Sequence, residues 1–269
     1  VIILTKNKYP ITIAIGDPHA TPGVSNERFE ALGNLIAELQ PDNIAQMGDF
    51  TTLDSISFHN LKSLVMREGM RLSDDIEAAK DAYDKMMAGI IKYNSSRTRI
   101  KKKHYKPNKY WLNGNHEDRA WRYIQDKPEL QGFVPATDFV GAEEDGWELV
   151  PYRKKIQIEG TYFTHIPMNR RINQPISGEY VCKRAALMHN KSVVFGHTHR
   201  YGIADDKKEG GQLVQGINIG WFGDHVPHYV EGNEGTCDWW DGVVVLTHIG
   251  DGQVITSPLD MKTLKRDYL

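Results

Sequence analysis

Residues able to bind a cation recur at five places in the chain, and each place follows a short apolar run. Asp17-Pro18-His19 comes after residues 11–15, Gly48-Asp49 after 43–47, and Gly114-Asn115-His116-Glu117 after 109–112. His165 comes after 161–164, and Gly196-His197-Thr198-His199 after 192–195. Carboxylate, carboxamide and imidazole donors without a thiolate suit Mn2+, Fe or Zn2+ and do not choose among them. The glycines let the chain turn sharply as it leaves a strand, so that the next side chain points into one site. Each fragment is weak alone: an Asp-x-His triplet arises by chance, Gly-Asp is commonly a turn, and a lone histidine is more often structural. Gly-His-Thr-His is stronger, because imidazoles at i and i+2 beyond a strand can reach two ions in one cleft. The whole set is specific because every fragment sits at a strand end in a consistent order.

The elements that must position these loops alternate along the chain. The five runs read as strands, and residues 214–219 and 242–246 read as two more. Phe29, Leu32, Leu35, Ile36 and Leu39 share one helix face, with Ser25 or Asn26 as cap and Pro41 just beyond the end. Ile76, Ala79, Tyr83, Met86 and Ile90 form a second face, which Ser73 can cap, with Asp74, Asp75 and Glu77 favouring its positive N-terminus. Strands alternating with helices predict an α/β or layered α+β core with its chemistry on loops at the carboxyl ends of strands.

Composition sets the outer bounds. At 40% hydrophobic and 25% charged, the 269 residues suit one domain, 1–269, with a real core. Residues 55–106 read as a helical and basic excursion from it, ending in Arg97-Thr98-Arg99-Ile100-Lys101-Lys102-Lys103-His104. That run is first a solvated loop and second a phosphate-backbone contact. A net charge of −2 does not support whole-surface attraction to nucleic acid. Cys182 and Cys237 belong to no CxxC pair, which argues against a thiolate metal site and for a reduced, cytoplasmic protein. No apolar run approaches the ~20 residues of a membrane helix, and Val1 to Lys6 is too short for a signal peptide.

The ordered set, from Asp17 to His199, resembles the calcineurin-like metallophosphoesterase superfamily. The resemblance implies a four-layer sandwich of two mixed β-sheets flanked by helices, with the metals at the ends of the central strands. It implies that Asp17, His19 and His199 bind a first metal, that Asn115, His165 and His197 bind a second, and that Asp49 bridges both. It implies two divalent ions, Mn2+ first, with Fe or Zn2+ as alternatives. His116 is implied to lie beside the substrate phosphate, off the metals, as the general acid. Two cations ~3.5–4 Å apart form a clamp for in-line displacement at phosphorus, with a water activated between them as nucleophile.

Departures from the family pattern narrow the substrate. Many relatives read Gly-Asp-x-x-Asp in the second motif; here Thr52 takes the last position and Asp54 follows two residues later. The partner that orients His116 is therefore open, with Asp54 and Asp118 as candidates. Leu53-Asp54-Ser55 replaces the Asp-Arg-Gly of Ser/Thr protein phosphatases. The stretches from Gly48 through Phe58-His59, and from Tyr180 to Arg200, look like the small phosphoesterases of tailed bacteriophages, whose setting is the host cytoplasm. The expectation is a phosphodiesterase or nuclease acting on DNA or a nucleotide. The alternatives are a phosphomonoesterase and a non-catalytic metal-binding scaffold. An amide hydrolase is disfavoured, since Ala120 stands where a His-Glu-x-x-His pair needs its second histidine.

Substrate contacts are expected from Arg119, Arg200, Trp221 and His225, with Arg122, Arg170 and Arg171 as further arginines near the motifs. The tract from Gly220 through Val226, His228 and Tyr229 is rich in aromatics and histidine. Trp221 and Phe222 fit core filling at least as well as a base-stacking wall, and Trp239-Trp240 fit either.

Overall fold

The computed structural model describes residues 8–57, 68–135, 138–225, 227 and 238–269. Val1 to Lys6, Phe58, His59, Val226, His228, Tyr229 and Cys237 lie outside the described residues. In chain order the first half contains β1 (Ile11–Ile15), α1 (Glu27–Leu39), β2 (Asn43–Gln46), α2 (Leu72–Arg99), β3 (Asn108–Leu112), α3 (Glu117–Asp126) and β4 (Glu148–Val150). The second half contains β5 (Ile156–Ile158), β6 (Thr161–Thr164), β7 (Met168–Asn169), β8 (Gln174–Pro175), α4 (Val181–His189) and β9 (Val193–Phe195). It ends with β10 (Tyr201–Lys207), β11 (Leu213–Ile219), β12 (Gly242–Gly250), β13 (Gln253–Asp260) and α5 (Met261–Tyr268).

These form a mixed α/β fold with two large mixed sheets. One has six strands in the order β13-β12-β1-β2-β3-β4, parallel from β1 to β4 and antiparallel across β1, β12 and β13. The other has five in the order β10-β11-β9-β6-β5, parallel through β11, β9 and β6, with an antiparallel strand at each edge. Parallel strands covered on both faces read as near-continuous apolar runs, as Ile11-Thr12-Ile13-Ala14-Ile15 does.

Side-chain alternation builds the layers. Ala14, Ala45, Leu112 and Val244 of the first sheet meet Phe163, Val194, Ile217 and Ile219 of the second in one core. Ile11, Ile13, Ile15, Ile44 and Trp111 face the other way, onto Phe29, Leu32 and Ile36 of α1, Tyr83 and Met86 of α2, and Leu264 of α5. Val193 and Phe195 pack outward on Val181 and Ala185 of α4. The order is helices, sheet, sheet, helix. Each fully buried large side chain contributes about 1.5–3 kcal/mol relative to exposure.

Three local expectations change. Ser73 does not cap α2, which begins one residue earlier at Leu72 with Arg71 in the cap position. Asn26 precedes α1 but makes no capping bond; its amide reaches Ala78 O (3.1 Å) and Asp81 (2.9 Å) on α2. The stretch 55–106 is not an excursion at its centre, because Ala79, Ala82, Tyr83, Met86 and Ile90 belong to the main core. The basic run starts inside the last turn of α2 and is exposed from Thr98 to His104, its turn closed by Arg97 Nε donating to Lys103 O (3.1 Å). Among the described residues, no helix is long and apolar enough to cross a membrane.

Candidate metal centre

All five ligand-bearing loops open at one end of the sandwich, three from the six-stranded sheet and two from the five-stranded sheet. Asp17 and His19 leave β1, Asp49 leaves β2, and Asn115 and His116 leave β3. His165 leaves β6, while His197 and His199 leave β9. Asp17, His19, Asp49, His197 and His199 all take left-handed backbone conformations, with φ between 45° and 70°. Such conformations cost on the order of 1–3 kcal/mol each at a non-glycine residue, so the surrounding packing must hold these five side chains in place.

The glycines serve the site in two ways. Gly48, at φ 107°, is where the chain turns, as the sequence predicts. Gly114 and Gly196 have no positive φ; they are glycine because a Cβ would collide with the Asp49 and Asp17 carboxylates respectively.

The ligand atoms gather into buried groups with separations under 4.8 Å: Asp17 with His19 and His199, Asp49 with His165 and His197, and Asp49 with His19 and His116. Asp49 thus lies between the first two sets, and Asn115 joins the second through its Oδ1, 3.0 Å from His165 Nε2. His165 Nδ1 lies 2.9 Å from the Met47 carbonyl, which can only accept, so that nitrogen carries the proton. His165 Nε2 then presents a lone pair to the Asn115 oxygen. A cation shared between that lone pair and the carboxamide oxygen would satisfy both. Asp17 Oδ1 and His197 Nδ1 are buried and make no hydrogen bond among the described residues, and His19 Nε2 and His199 Nε2 face each other at 3.1 Å. The donor set therefore fits metal ions.

Electrostatics agree. Burial and the neighbouring Asp49 charge push the Asp17 carboxyl well above the carboxylate range, and burial pushes Asp49 up to about 6. Burial holds His165 and His197 down at about 4 and His199 at about 3, with adjacent imidazoles adding to the effect at the last two. Clustered buried carboxylates resist ionisation without a compensating positive charge, while the imidazoles stay neutral as ligands must.

His116 is oriented by a backbone group rather than by a carboxylate. Its Nδ1 donates to Thr52 O (2.8 Å). Asp54 acts at one remove, accepting from Arg119 Nη1 (3.1 Å), while Arg119 Nη2 donates to His116 Nε2 (3.0 Å). Asp118 is occupied by Arg122 (3.0 Å). Burial and the Arg119 guanidinium keep His116 well below the usual imidazole range.

Of the expected substrate contacts, Arg119 is at the site. Trp221 is largely buried and stacked on His199, with ring centres 5.5 Å apart and 20° between planes. Phe222 is fully buried against Phe29, the core-filling role. Trp239 meets His199 edge-on at 4.1 Å. His225 lies 5.6 Å from Trp221 and lines a cleft of about 440 Å³ with Trp221, Trp239 and Asp224. Arg200 is turned to Asp238 (2.6 Å) and does not join the cluster.

Sequence reasoning missed two organising residues. Glu117 is buried and accepts from four amides: Gly114 N (2.7 Å) and Asp49 N (3.0 Å) at Oε2, Phe50 N (2.7 Å) and Thr51 N (3.4 Å) at Oε1. It binds the β2 loop to the β3 loop. Arg28 is fully buried on α1 and donates to Pro18 O (3.1 Å), Phe222 O (3.1 Å), Ser25 O (2.7 Å) and Asp224 (3.1 Å). It fixes the loop carrying Asp17 and His19 against the loop carrying Trp221.

No protein-family model matches the chain, and no curated protein matches it. Among solved structures, the chain is similar to TT1561 of Thermus thermophilus, at 11% identity and a TM-score of 0.37 over 93% of this chain and 99% of that one. A second solved structure aligns at 12% identity and a TM-score of 0.36 over the same shares. Likenesses this loose carry nothing about activity.

Proposed function

We propose that this protein is a calcineurin-like metallophosphoesterase that hydrolyses phosphodiesters of DNA or nucleotides. The observation that carries the proposal is the pair of ligand-competent groups that Asp49 links, one with His165 and His197 and, through His19, the one with Asp17 and His199, with His116 beside them and held by Thr52. The layering of helices, sheet, sheet and helix is the arrangement such a sandwich requires. Asp17, His19 and His199 would hold one divalent ion, and Asn115, His165 and His197 another, with Asp49 between; Mn2+ is the first choice. Bound cations would neutralise phosphate oxygens and activate water for in-line attack.

The chain's own residues supply the rest. His116 presents Nε2 toward the site while Thr52 O keeps the proton on Nδ1. An arriving phosphate draws Arg119 away from His116 Nε2, which can then take up a proton from solvent and pass it to the leaving oxygen. Arg119, released, grips the same phosphate. The Leu53-Asp54-Ser55 segment favours diesters over protein phosphomonoesters. An intracellular setting is part of the same proposal.

The test is an activity panel with defined metals on a diester, a monoester, a cyclic nucleotide, and linear and circular DNA. His116→Ala should retain its metal and lose ~10²–10⁴-fold in kcat on an unactivated diester. Wild-type rates in that variant, or turnover of monoesters alone, would sink the proposal. A second reading has its own observation, since His116 lies in one ligand-competent group with His19 and Asp49. If His116→Ala loses metal stoichiometrically, His116 is a ligand.

A further inference from the structure

Beside the metal centre lies a second cavity, of about 390 Å³, whose lining among the described residues includes Arg153, Lys154, Lys155, Arg170 and His189 and no carboxylate. It is continuous in its walls with the cleft of about 540 Å³ that contains Asn115 and His197, because Arg153 and Ile166 line both. Arg153, Lys154, Lys155 and Arg170 are exposed, so they gain little from the protein they sit on. Lys155 Nζ lies 3.9 Å from the centre of the Tyr162 ring, and Arg170 Nη2 donates to Met188 O (3.0 Å). Both contacts hold the cations at the rim of the cavity.

His189 is the informative group. It closes the C-terminus of α4 and is only 6% exposed, yet neither of its ring nitrogens has a hydrogen-bond partner among the described residues. Burial, with Lys155 and Arg170 nearby, keeps the imidazole neutral down to about 4. A neutral imidazole has one N–H to give. A buried donor left unmatched in a native fold calls for an explanation. A donor in the wall of a cavity that four cations line, two of them close to it, with no anion supplied by the described residues of that lining, is the arrangement an external oxyanion would complete.

We propose that this cavity binds a phosphate group, and specifically a further phosphate of the nucleic-acid strand whose scissile linkage lies at the metal centre. His189 donates to one oxygen while Lys155 and Arg170 neutralise the charge. Arg153 continues the positive track from the cavity to the Asn115–His197 cleft. The strand assignment rests on the phosphodiesterase reading; the phosphate site does not.

The test uses the full chain with its metal and three variants: Lys155→Ala/Arg170→Ala, His189→Leu and His189→Gln, the last retaining a donor. Binding of a phosphorothioate single-stranded oligonucleotide is followed by fluorescence anisotropy across salt concentrations, and inorganic phosphate serves as competitor. The double variant should bind the oligonucleotide about tenfold more weakly, with a salt slope shallower by about 1.4, the value for two lost contacts on a single strand. His189→Leu should weaken binding, and His189→Gln should recover part of it. Turnover of bis(p-nitrophenyl) phosphate, which has no second phosphate, should not change. Equal oligonucleotide affinity in variants of unchanged melting temperature overturns the site. Inorganic phosphate binding that depends on Lys155 and Arg170, with no gain from the strand, overturns the strand assignment. If the wild type cleaves no diester while the variants still lose oligonucleotide binding, the catalytic proposal fails and the phosphate site stands.

Discussion

Glu117 carries no proposed chemistry, yet it meets four backbone amides from two loops with both carboxylate oxygens. Burial and the Asp49 charge push it up to about 7, and the amides oppose that shift. In Glu117→Gln the carboxamide NH2 must face amide donors, which leaves hydrogen bonds unmade at ~1–3 kcal/mol. The variant should lose ~10–100-fold in metal affinity, as supporting partners of metal ligands do, measured by metal titration with melting temperature as control. Unchanged affinity would mean that Asp49 is positioned without it. The gathering of the candidate residues was legible because each stands just beyond an apolar run, often behind a glycine. Glu117 was not, since a buried acid means something only through the amides it faces, and those at 49–51 are more than sixty residues away. Thr52 was hidden for a related reason: its side chain looked like a loss, while its carbonyl does the orienting.

Between elements, α1 and α2 meet at a close backbone crossing. A Cβ on Gly89 would strike the backbone of Gly33, and one on Gly33 would strike the Met86 carbonyl. Gly89→Ala therefore tests the crossing. Alanine gains about 1 kcal/mol over glycine in a helix interior, but the collision is with backbone and cannot be relieved by a rotamer. The net expectation is a loss of about 1–3 kcal/mol, read from denaturant midpoints; a more stable variant would refute the close packing. The central face of α2 was legible from its heptad-like spacing. Its ends, Leu72 and Arg99, were not, because exposed polar turns carry no periodic signal. Its place in the core was also illegible, since the glycines that seat it on α1 look like helix breakers in the sequence.

For the whole molecule, the alternation of buried faces made a layered α/β fold readable, while the pairing of two separate sheets required the structure. One consequence of deep burial is a pH dependence. His248 hydrogen-bonds Thr12 Oγ1 (2.8 Å), and burial holds its imidazole down at about 4 from an ordinary 6.5. Between those values the unfolded chain binds a proton that the folded chain refuses, so stability is full above pH 6.5 and falls as the pH drops through the window. Wild type should lose up to about 3 kcal/mol more than His248→Gln between pH 7 and 4, by chemical denaturation in chelator. Parallel pH curves for the two proteins would rule this out.

The candidate loops come from both sheets, so neither the Asp17, His19 and His199 group nor the Asp49, His165 and His197 group is complete until the two sheets have docked. Cations held there would enter late in time as well as at one end in space. Contacts absent from the folding transition state act on the escape rate from the native state. Divalent ions should therefore leave the refolding rate almost unchanged and slow unfolding in proportion to the stability they add, about 2.7 kcal/mol at a hundredfold excess over Kd. Stopped-flow traces with and without chelator would separate the two arms; metal-accelerated refolding would mean that the ligands gather before the sheets do. If they gather late, the centre acts as a clasp: it closes a structure already assembled and sets how long it lasts.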